Sequence, residues 1–242
     1  MMIPGTAKRR DELPWLPYPD NDRVIINPHR FDGGGGGPTP LGGEILWLMP
    51  DSGITDLSGN GNDGTYNGGM GVSGGEYVFD GVNDEITTPV DIAGASAAAI
   101  SFWFKKTLPT NKMCIGQSQD AGGMHIIWWN TGTFYLTGGG GATSFRANNS
   151  TLHHACLVFD GSGATNADRL KFYLDGSAST LTFGGSIGTT LGSPTGPLQV
   201  GRYAINSNWT SGSMNDVRVF QRAISSAEVT TLYNSGTPGV GA

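Results

Sequence analysis

The sequence is poor in charged residues. Asp, Glu, Lys and Arg make up only 14% of its 242 residues, against roughly 25% in an average globular domain. The net charge of −6 disfavours non-specific binding to nucleic acid or to an anionic membrane surface. This composition suits a soluble protein of a particle or a surface.

Long apolar runs are also missing. No segment approaches the roughly 20 apolar residues that a membrane-spanning helix needs, so we expect no membrane span. We expect no secretory signal either, because Lys8-Arg9-Arg10 is followed by acidic and proline-rich residues instead of an apolar stretch.

Cysteine is scarce, with Cys114 and Cys156 as the two cysteines of the chain. Two interpretations stay open for this pair. The two residues form a structural disulfide, or they are two buried free thiols, which is the simpler interpretation.

Helix signals are confined to one stretch near the C-terminus. Ser225 and Glu228 have the spacing of a capping box, in which each side chain bonds the backbone amide of the other residue. Gly236 is suited to a left-handed helix exit. Apolar residues at helical spacing lie between these ends, namely Ala227, Val229, Leu232 and Tyr233. The sequence therefore predicts one short C-terminal helix.

Glycine, in contrast, is abundant, with 40 residues, and it separates many short apolar runs. Such runs, bounded by turn residues, are typical of a β-sandwich or barrel with about a dozen strands. The predicted strands are 44–49, 77–81, 84–88, 98–105, 112–117, 124–129, 133–137, 152–159, 170–174, 198–202 and a closing strand at 214–220. Three of them end in Asp-Gly (80–81, 160–161 and 175–176), which favours a hairpin turn because this dipeptide tolerates positive φ.

The first 40 residues differ from the rest of the chain. Prolines here favour extended backbone, and the five glycines at 33–37 are typical of a flexible linker. We therefore predict an extended arm (1–32), a Gly/Pro linker (33–40), one domain (41–236) and a short tail (237–242).

The arm contains apolar residues that are too few for a core of their own. The candidate contact residues are Trp15, Tyr18, Ile25 and Phe31. Two interpretations are open: the arm packs on its own domain, or it docks on a neighbouring subunit or another protein. We favour docking, which implies a homo-oligomer or a larger assembly.

Segments from 56 to 233 resemble the laminin-G-like jelly roll of the concanavalin A-like lectin/glucanase superfamily. They occur in the family's order: DLSGNGNDGTYNGG at 56–69, YVFDGVNDEI at 77–86, AISFWFK at 99–105, LHHACLVFDG at 152–161, KFYLDG at 171–176, LQVGR at 198–202 and SGSMNDVRVFQRAISSAEVTTLY at 211–233. The resemblance implies an all-β sandwich of two antiparallel sheets. The chain departs from the family pattern at Leu152, where Trp is common, and at Asn215-Asp216, where Asp-Glu is common.

Catalysis is not favoured by the acidic residues or the histidines. Glycosidases on this fold use closely spaced carboxylates on one strand, whereas Asp84 and Glu85 are adjacent and should face opposite sides. His153 and His154 should also alternate, so they cannot share one metal. We therefore expect a protein that is not an enzyme.

Calcium is the cofactor that the resemblance implies, because many relatives in this superfamily bind it. The candidate ligands are oxygen-bearing residues of the kind that calcium prefers: Asp56, Asn60, Asn62, Asp80 and Asp216, with Asp63 beside them. In the alternative interpretation, the residues of the 56–63 loop form Asx turns.

A surface glycan is the ligand that the fold and the aromatic residues suggest. Sugar rings stack on exposed aromatic side chains, and the candidates are Trp209, Tyr203 and Trp129. Trp209 is the strongest because polar residues flank it. The alternative is that Trp209 packs a loop.

Two functional hypotheses follow. The first is a virion surface component, such as a capsid decoration or tail or fibre protein, held by residues 1–40 to other virion subunits or to copies of itself. It combines a recognition fold with the absence of a secretory signal. The second is a cellular carbohydrate-binding or adhesion module at the cell surface or outside the cell.

Overall fold

The structure is a computed structural model. It describes residues 38–106, 113–117, 122–128, 133–136, 141–144, 151–194, 196–203 and 208–235. The predicted arm (1–32), with Trp15, Tyr18, Ile25 and Phe31, lies outside the described residues, as do Trp129 and most of the linker.

The described residues form strands joined by short connections. In chain order these are β1 (Glu44–Leu48), β2 (Thr65–Asn67), β3 (Gly71–Ser73), β4 (Glu76–Asp80), β5 (Glu85–Thr87), β6 (Ala97–Lys106), β7 (Met113–Gly116), β8 (His125–Trp128), β9 (Thr133–Leu136), β10 (Gly141–Ser144), β11 (His153–Asp160), β12 (Leu170–Leu174), β13 (Ser177–Ser179), β14 (Thr182–Phe183), β15 (Gln199–Val200), β16 (Arg202–Tyr203), β17 (Asn208–Trp209) and β18 (Ser211–Phe220). A 3-10 turn spans Pro50–Ser52, and the helices are α1 (Asn166–Arg169) and α2 (Ser226–Asn234).

Two antiparallel eight-stranded sheets contain most of these strands. The first has the order β13-β12-β11-β6-β18-β4-β3, with β1 also paired to β18. The second has the order β14-β10-β9-β8-β7-β15-β5-β2, and β16 and β17 form a separate pair. This architecture confirms the predicted all-β jelly-roll sandwich.

The main core lies between the two sheets. Alternating residues of β6, such as Phe102 and Phe104, pack with Ile86 and Ile126 of the opposite sheet, and all four are fully buried. Period-two alternation places these side chains on one face of each strand. Burial of this apolar surface is the main stabilising term of the fold.

The predicted C-terminal helix is confirmed as α2. Ser225 caps it, and the capping box with Glu228 is complete. Val229 and Leu232 pack on the outer face of the first sheet, in a second core that includes Cys156. Cys156 is a buried free thiol, and burial raises its pKa.

One further helix was missed by the sequence prediction. Four residues form α1, and Thr165 and Asp168 make a capping box there too. That pair was visible as a Thr-x-x-Asp signal, but α1 has no apolar stripe to accompany it. No helix in the described part of the chain has the length and hydropathy to cross a bilayer.

The Asp-Gly prediction holds at one of its three positions. Asp175 and Gly176, with φ of 49° and 74°, form the two-residue hairpin between β12 and β13. Asp80-Gly81 instead links β4 of the first sheet to β5 of the second. After Asp160-Gly161 the chain enters α1 before it returns as β12.

The two non-hairpin positions share one physical cause. The Asp80 carboxylate accepts a hydrogen bond from the Val82 amide, and Asp160 accepts one from the Ser162 amide. These are Asx turns, in which the aspartate ends its strand through its side chain. The same residue type therefore serves two kinds of strand ending.

A β-bulge interrupts β18. Asn215 lies opposite Trp103 and Arg218 lies opposite Ser101, so two residues of β18 face one residue of β6. Asp216 occupies the bulge with φ of 45°. Such a bulge redirects side chains locally, and here it directs Arg218 to the outer face of the sheet.

His153 and His154 face opposite sides, as predicted. His153 Nδ1 lies 2.8 Å from Asp175 Oδ2, whereas His154 Nε2 lies 2.8 Å from Ser101 Oγ. Their side chains have separate hydrogen-bond partners and do not converge on one site, although the His154 amide donates to Asp175 at 2.9 Å.

Candidate functional site

The hairpin of β16 and β17 lies where the chain passes from one sheet to the other. It follows β15 of the second sheet and precedes β18 of the first. The amide of Thr210 donates to the Gly201 carbonyl at 2.7 Å, which closes the base of the hairpin. Gly201 has φ of 93°, and an added Cβ would lie 2.3 Å from the Phe79 ring. Glycine is therefore required where the hairpin leaves the core.

Trp209 and Arg202 face each other across this hairpin. They are directly paired in the register of β16 and β17. The guanidinium carbon of Arg202 lies 4.7 Å from the centroid of the Trp209 ring, which is a cation–π distance. The Trp209 side chain is half-buried. The predicted aromatic candidate is thus partly exposed, and one face of its ring contacts Arg202.

Glu85 is the third member of the group. Arg202 Nη1 lies 3.4 Å from Glu85 Oε2, and the two side chains are 32% and 10% exposed. The next residue, Ile86, packs in the main core, so alternation places Glu85 on the outer face of the second sheet. Among the residues that the structure describes, the buried Nε of Arg202 has no hydrogen-bond partner.

The turn before Glu85 adds further carboxyl groups. Asp84 accepts a hydrogen bond from the Asp80 amide at 2.9 Å. Burial, together with the neighbouring Asp80 carboxylate, raises the pKa of Asp84. Val82, at the tip of this turn, is 66% exposed. An acidic, solvent-exposed turn therefore borders the hairpin group of Arg202, Trp209 and Glu85.

The other two aromatic candidates are Tyr203 and Trp129, and Trp129 lies outside the described residues. Tyr203 belongs to β16, where its backbone pairs with Asn208, but its side chain is not among those described. Sequence reasoning missed Arg202 and Glu85. Each residue lies within a segment that carried the family resemblance, yet they are 117 positions apart, and no local pattern links them.

The predicted calcium loop is held by its own hydrogen bonds. Asp56 is buried. Its carboxylate accepts bonds from the Trp47 amide at 2.9 Å, from the amide and hydroxyl of Ser58 at 2.9 and 2.7 Å and from the Asn62 amide at 2.9 Å. These contacts fit the Asx-turn interpretation of the loop.

The amides of Asn60 and Asn62 are also engaged. Each donates from Nδ2 to a β1 carbonyl, Glu44 at 2.9 Å and Ile45 at 2.7 Å. Asp63 accepts a hydrogen bond from the Asp56 amide at 2.7 Å. The loop is therefore attached to β1 through the residues that were proposed to coordinate a cation.

Asp216 has different partners. It accepts hydrogen bonds at 2.7 Å from Trp47 Nε1 and from Arg218 Nε, and the Arg218 guanidinium balances its charge. Asp80 is engaged in its own turn. In the described part of the chain, no three His, Cys, Asp or Glu residues group as metal ligands.

The structure thus brings Asp56, Asn60 and Asn62 together and places Asp80 and Asp216 with other partners. The donor set is a poor fit for calcium, which takes six to eight oxygens, because the Asp56 carboxylate already accepts four hydrogen bonds. Calcium binding, which the family resemblance implies, is untested, and these hydrogen bonds argue against it at this loop.

A family comparison adds to this geometry. Residues 80–230 match the sequence profile of the family described as the concanavalin A-like lectin/glucanases superfamily. This is more than half of the chain, and it includes the hairpin and its neighbouring turn. The chain belongs to the concanavalin A-like lectin/glucanase superfamily. No curated protein sequence matches it significantly.

Solved structures share the fold of this chain. Domain 4 of AbnA, a GH43 extracellular arabinanase from Geobacillus stearothermophilus, was solved in complex with arabinotriose. It is 16% identical, with a TM-score of 0.56, and the match covers 79% of this chain and 100% of that domain. Trypanosoma rangeli sialidase is 15% identical, with a TM-score of 0.61 and coverage of 81% of this chain and 33% of the sialidase.

A further similar structure is the botulinum neurotoxin serotype D ligand-binding domain in complex with N-acetylneuraminic acid. It is 14% identical, with a TM-score of 0.58, and the match covers 79% of this chain and 50% of that one. The present chain thus corresponds to about half of the neurotoxin domain. At these identities the similarity shows the shared concanavalin A-like fold.

Proposed function

We propose that the domain is a non-catalytic saccharide-binding module and that the hairpin group of Arg202, Trp209 and Glu85 is its contact surface. The observation that carries the proposal is the half-exposed Trp209 ring, held beside a guanidinium and a carboxylate. An aromatic face packs on the C–H face of a sugar ring. Charged groups next to it bond the hydroxyls and orient the ring.

The similar structures support this proposal through their ligands. The arabinanase domain holds arabinotriose over a match that spans its entire length, and the serotype D neurotoxin domain holds N-acetylneuraminic acid. Saccharide binding therefore occurs in proteins that contain this fold. The residues of this chain decide which surface is used, because a fold does not by itself define a site.

Binding to an oligosaccharide panel tests the proposal. Trp209→Ala should abolish binding, and Trp209→Phe should retain part of it because an aromatic face remains. Val78→Ala, at an exposed apolar residue of β4, is the control. Unchanged thermal unfolding of each variant shows that folding is intact. Full binding by Trp209→Ala contradicts the proposed site.

We also propose that the module is displayed from an assembly by its N-terminal segment, as in a virion surface protein. The supporting observation is the anchored entry into the domain. Arg218 Nη1 donates to the Thr39 carbonyl at 2.7 Å, and the amides of Leu41 and Gly42 donate to Glu44 at 2.7 and 2.8 Å. Because these hydrogen bonds fix the first residues of the domain, an N-terminal segment attached there would hold the domain at a defined position in an assembly.

Light scattering tests this display role. Deletion of residues 1–37 keeps Thr39 and its contacts, so the shortened chain should fold with an unchanged melting temperature. The full chain should form a larger assembly or join its particle, and the shortened chain should stay a monomer. Equal masses for the two chains, together with equal incorporation into particles, contradict the role.

The calcium prediction is tested separately. A cation that binds only the folded state raises the melting temperature by mass action. Because Asp56 already accepts four hydrogen bonds, we expect no rise between a chelator and millimolar calcium. A rise that Asp56→Asn removes would establish a site at this loop.

A further inference from the structure

We infer that the hairpin group selects neutral saccharides that carry neighbouring hydroxyls and discriminates against carboxylated sugars such as sialic and uronic acids. This inference rests on the proposed function and names the ligand class of the same site. It is drawn from the pairing of Arg202 with Glu85 beside the Trp209 ring.

The two charged side chains supply complementary hydrogen-bonding groups. Arg202 only donates, and an ionised Glu85 only accepts. Arg202 Nη1 and Glu85 Oε2 are 3.4 Å apart, which is longer than a charge-assisted hydrogen bond of about 2.7–2.9 Å. A sugar hydroxyl both donates and accepts. Two hydroxyls on adjacent carbons therefore match this donor and acceptor together.

Local charge opposes an acidic ligand. The turn that leads into β5 contains Asp80 and Asp84 as well as Glu85, and Glu85 lies next to Arg202. The guanidinium thus already has a carboxylate neighbour. A sugar carboxylate at Arg202 would meet Glu85 at close range in a partly buried setting, where like charges repel strongly. The net charge of −6 acts in the same direction over longer distances.

The stacking geometry fits a small apolar sugar face. One face of the Trp209 ring is covered by Arg202 at 4.7 Å. The ligand therefore approaches the uncovered part of the ring, with the Arg202–Glu85 pair at its side. This arrangement favours a ring with an apolar C–H face and hydroxyls along one edge.

A glycan panel with three variants tests the inference. The panel holds neutral pentose and hexose oligosaccharides and matched sialylated and uronic-acid forms. Wild type should bind neutral members at least about tenfold more tightly than acidic ones. Glu85→Gln and Arg202→Met should each weaken neutral binding by about tenfold, as expected for one charge-assisted hydrogen bond. Glu85→Gln should also narrow the discrimination against acidic members.

A matched control exists at the start of α2. Arg222 and Glu228 form another partly exposed ion pair, at 2.8 Å with 37% and 30% exposure, so Arg222→Met should leave binding unchanged. Tighter binding of acidic glycans by wild type overturns the inference. The inference is also overturned if Trp209→Ala loses binding while Glu85→Gln and Arg202→Met both bind fully. In that case the proposed saccharide binding still stands. No binding to any glycan overturns both.

Discussion

Arg218 and Arg202 are built into the domain with the same kinds of partner. Arg218 lies 4.3 Å from the Trp47 ring centroid, and Arg202 lies 4.7 Å from that of Trp209. Each also faces a glutamate, Glu44 at 3.1 Å and Glu85 at 3.4 Å. The two clusters differ in exposure: Arg218 is 0% exposed and Arg202 is 32% exposed.

The buried cluster uses most of its hydrogen-bonding groups. Arg218 bonds Asp216 twice, at 2.7 and 3.1 Å, and also bonds Glu44 and the Thr39 carbonyl. Asp216 in turn accepts from the Trp47 indole. These groups are buried and bonded to one another. Their role is to hold β1, β18 and the entry segment together.

The exposed cluster is incomplete. Its single ion pair is long, and the Arg202 Nε has no partner within the described residues. Arg, Trp and Glu therefore hold strands together when they are buried and paired. The same residue types form a candidate binding surface when they are partly exposed.

Removal of the buried guanidinium should have the largest effect on folding. Arg218→Met leaves Asp216 and Glu44 buried without their counter-charge, which costs about 3–5 kcal/mol of unfolding free energy. Arg202→Met should cost less, about 1 kcal/mol, because Arg202 is partly exposed and its pair with Glu85 is long. Denaturant unfolding of both variants measures the contrast. Equal losses would remove the distinction between the clusters.

Lowering the pH tests the buried cluster through His154, whose pKa depends in part on the Arg218 charge. The pKa of His154 is lowered to about 4, chiefly by burial; the Asp175 carboxylate opposes this shift and the Arg218 charge adds to it. The unfolded histidine takes up its proton near pH 6.5. Between pH 6.5 and 4 the unfolded state therefore binds more protons, and stability falls as the pH falls, by about 3 kcal/mol for this group.

Unfolding free energies across that pH range check the prediction. His154→Asn should flatten the dependence by about half, because burial also lowers the pKa of His125 to about 4, and that group keeps its own contribution. An unchanged slope in the variant would contradict the assignment to His154.

Much of the fold was predictable because its signals are local. The Ser225–Glu228 capping box and the apolar alternation of β6 each depend on residues within a few positions. The bulge in β18 also left a signal that was overlooked. Met214, Val217 and Val219 all face the core, and this spacing does not keep a period of two without an extra residue.

The candidate site was predictable only in part. Trp209 is recognisable from its polar neighbours, but its partner Arg202 meets Glu85 through the antiparallel pairing of β15 with β5, which sets Val200 opposite Ile86. Asp216 was assigned to a metal site from its residue type. Its hydrogen bonds to Trp47 and Arg218 depend on the bulge and on the pairing of β1 with β18. Long-range register of this kind is not encoded in any short motif.

Substitution of Gly201 tests whether the exposed cluster of Arg202, Trp209 and Glu85 needs a rigid backbone beneath it. Gly201→Ala and Gly42→Ala place a Cβ at nearly equal φ, 93° and 91°, but the first meets the Phe79 ring at 2.3 Å and the second meets nothing within 4 Å. Both share the strain of positive φ. In Gly201→Ala, but not in Gly42→Ala, overpacking against the Phe79 ring adds about 1–3 kcal/mol to the loss of unfolding free energy.

Thermal unfolding measures that difference, and glycan binding reports on the hairpin. Gly201→Ala should weaken both, whereas Gly42→Ala should spare binding. If the two variants lose equal stability, then the hairpin moves freely to accommodate the methyl group, and rigid placement of Trp209 is refuted.

The smallest effect should come from the partly exposed pair of Arg222 and Glu228 at the start of α2. This pair tests whether distance or burial causes the difference between Arg218 and Arg202. Arg222 and Glu228 are only 2.8 Å apart, closer than Arg202 and Glu85, yet both are solvent-exposed. The hydrogen bond from Arg222 holds the pKa of Glu228 down at about 2, and the Ser225 cap assists. The stability that the ionised Glu228 contributes is present above about pH 4.5 and is lost as the pH falls through 2. Glu228→Gln at neutral pH should cost about 1 kcal/mol or less. A loss as large as that of Arg218→Met would mean that short distance, and not burial, makes an arginine pair structural.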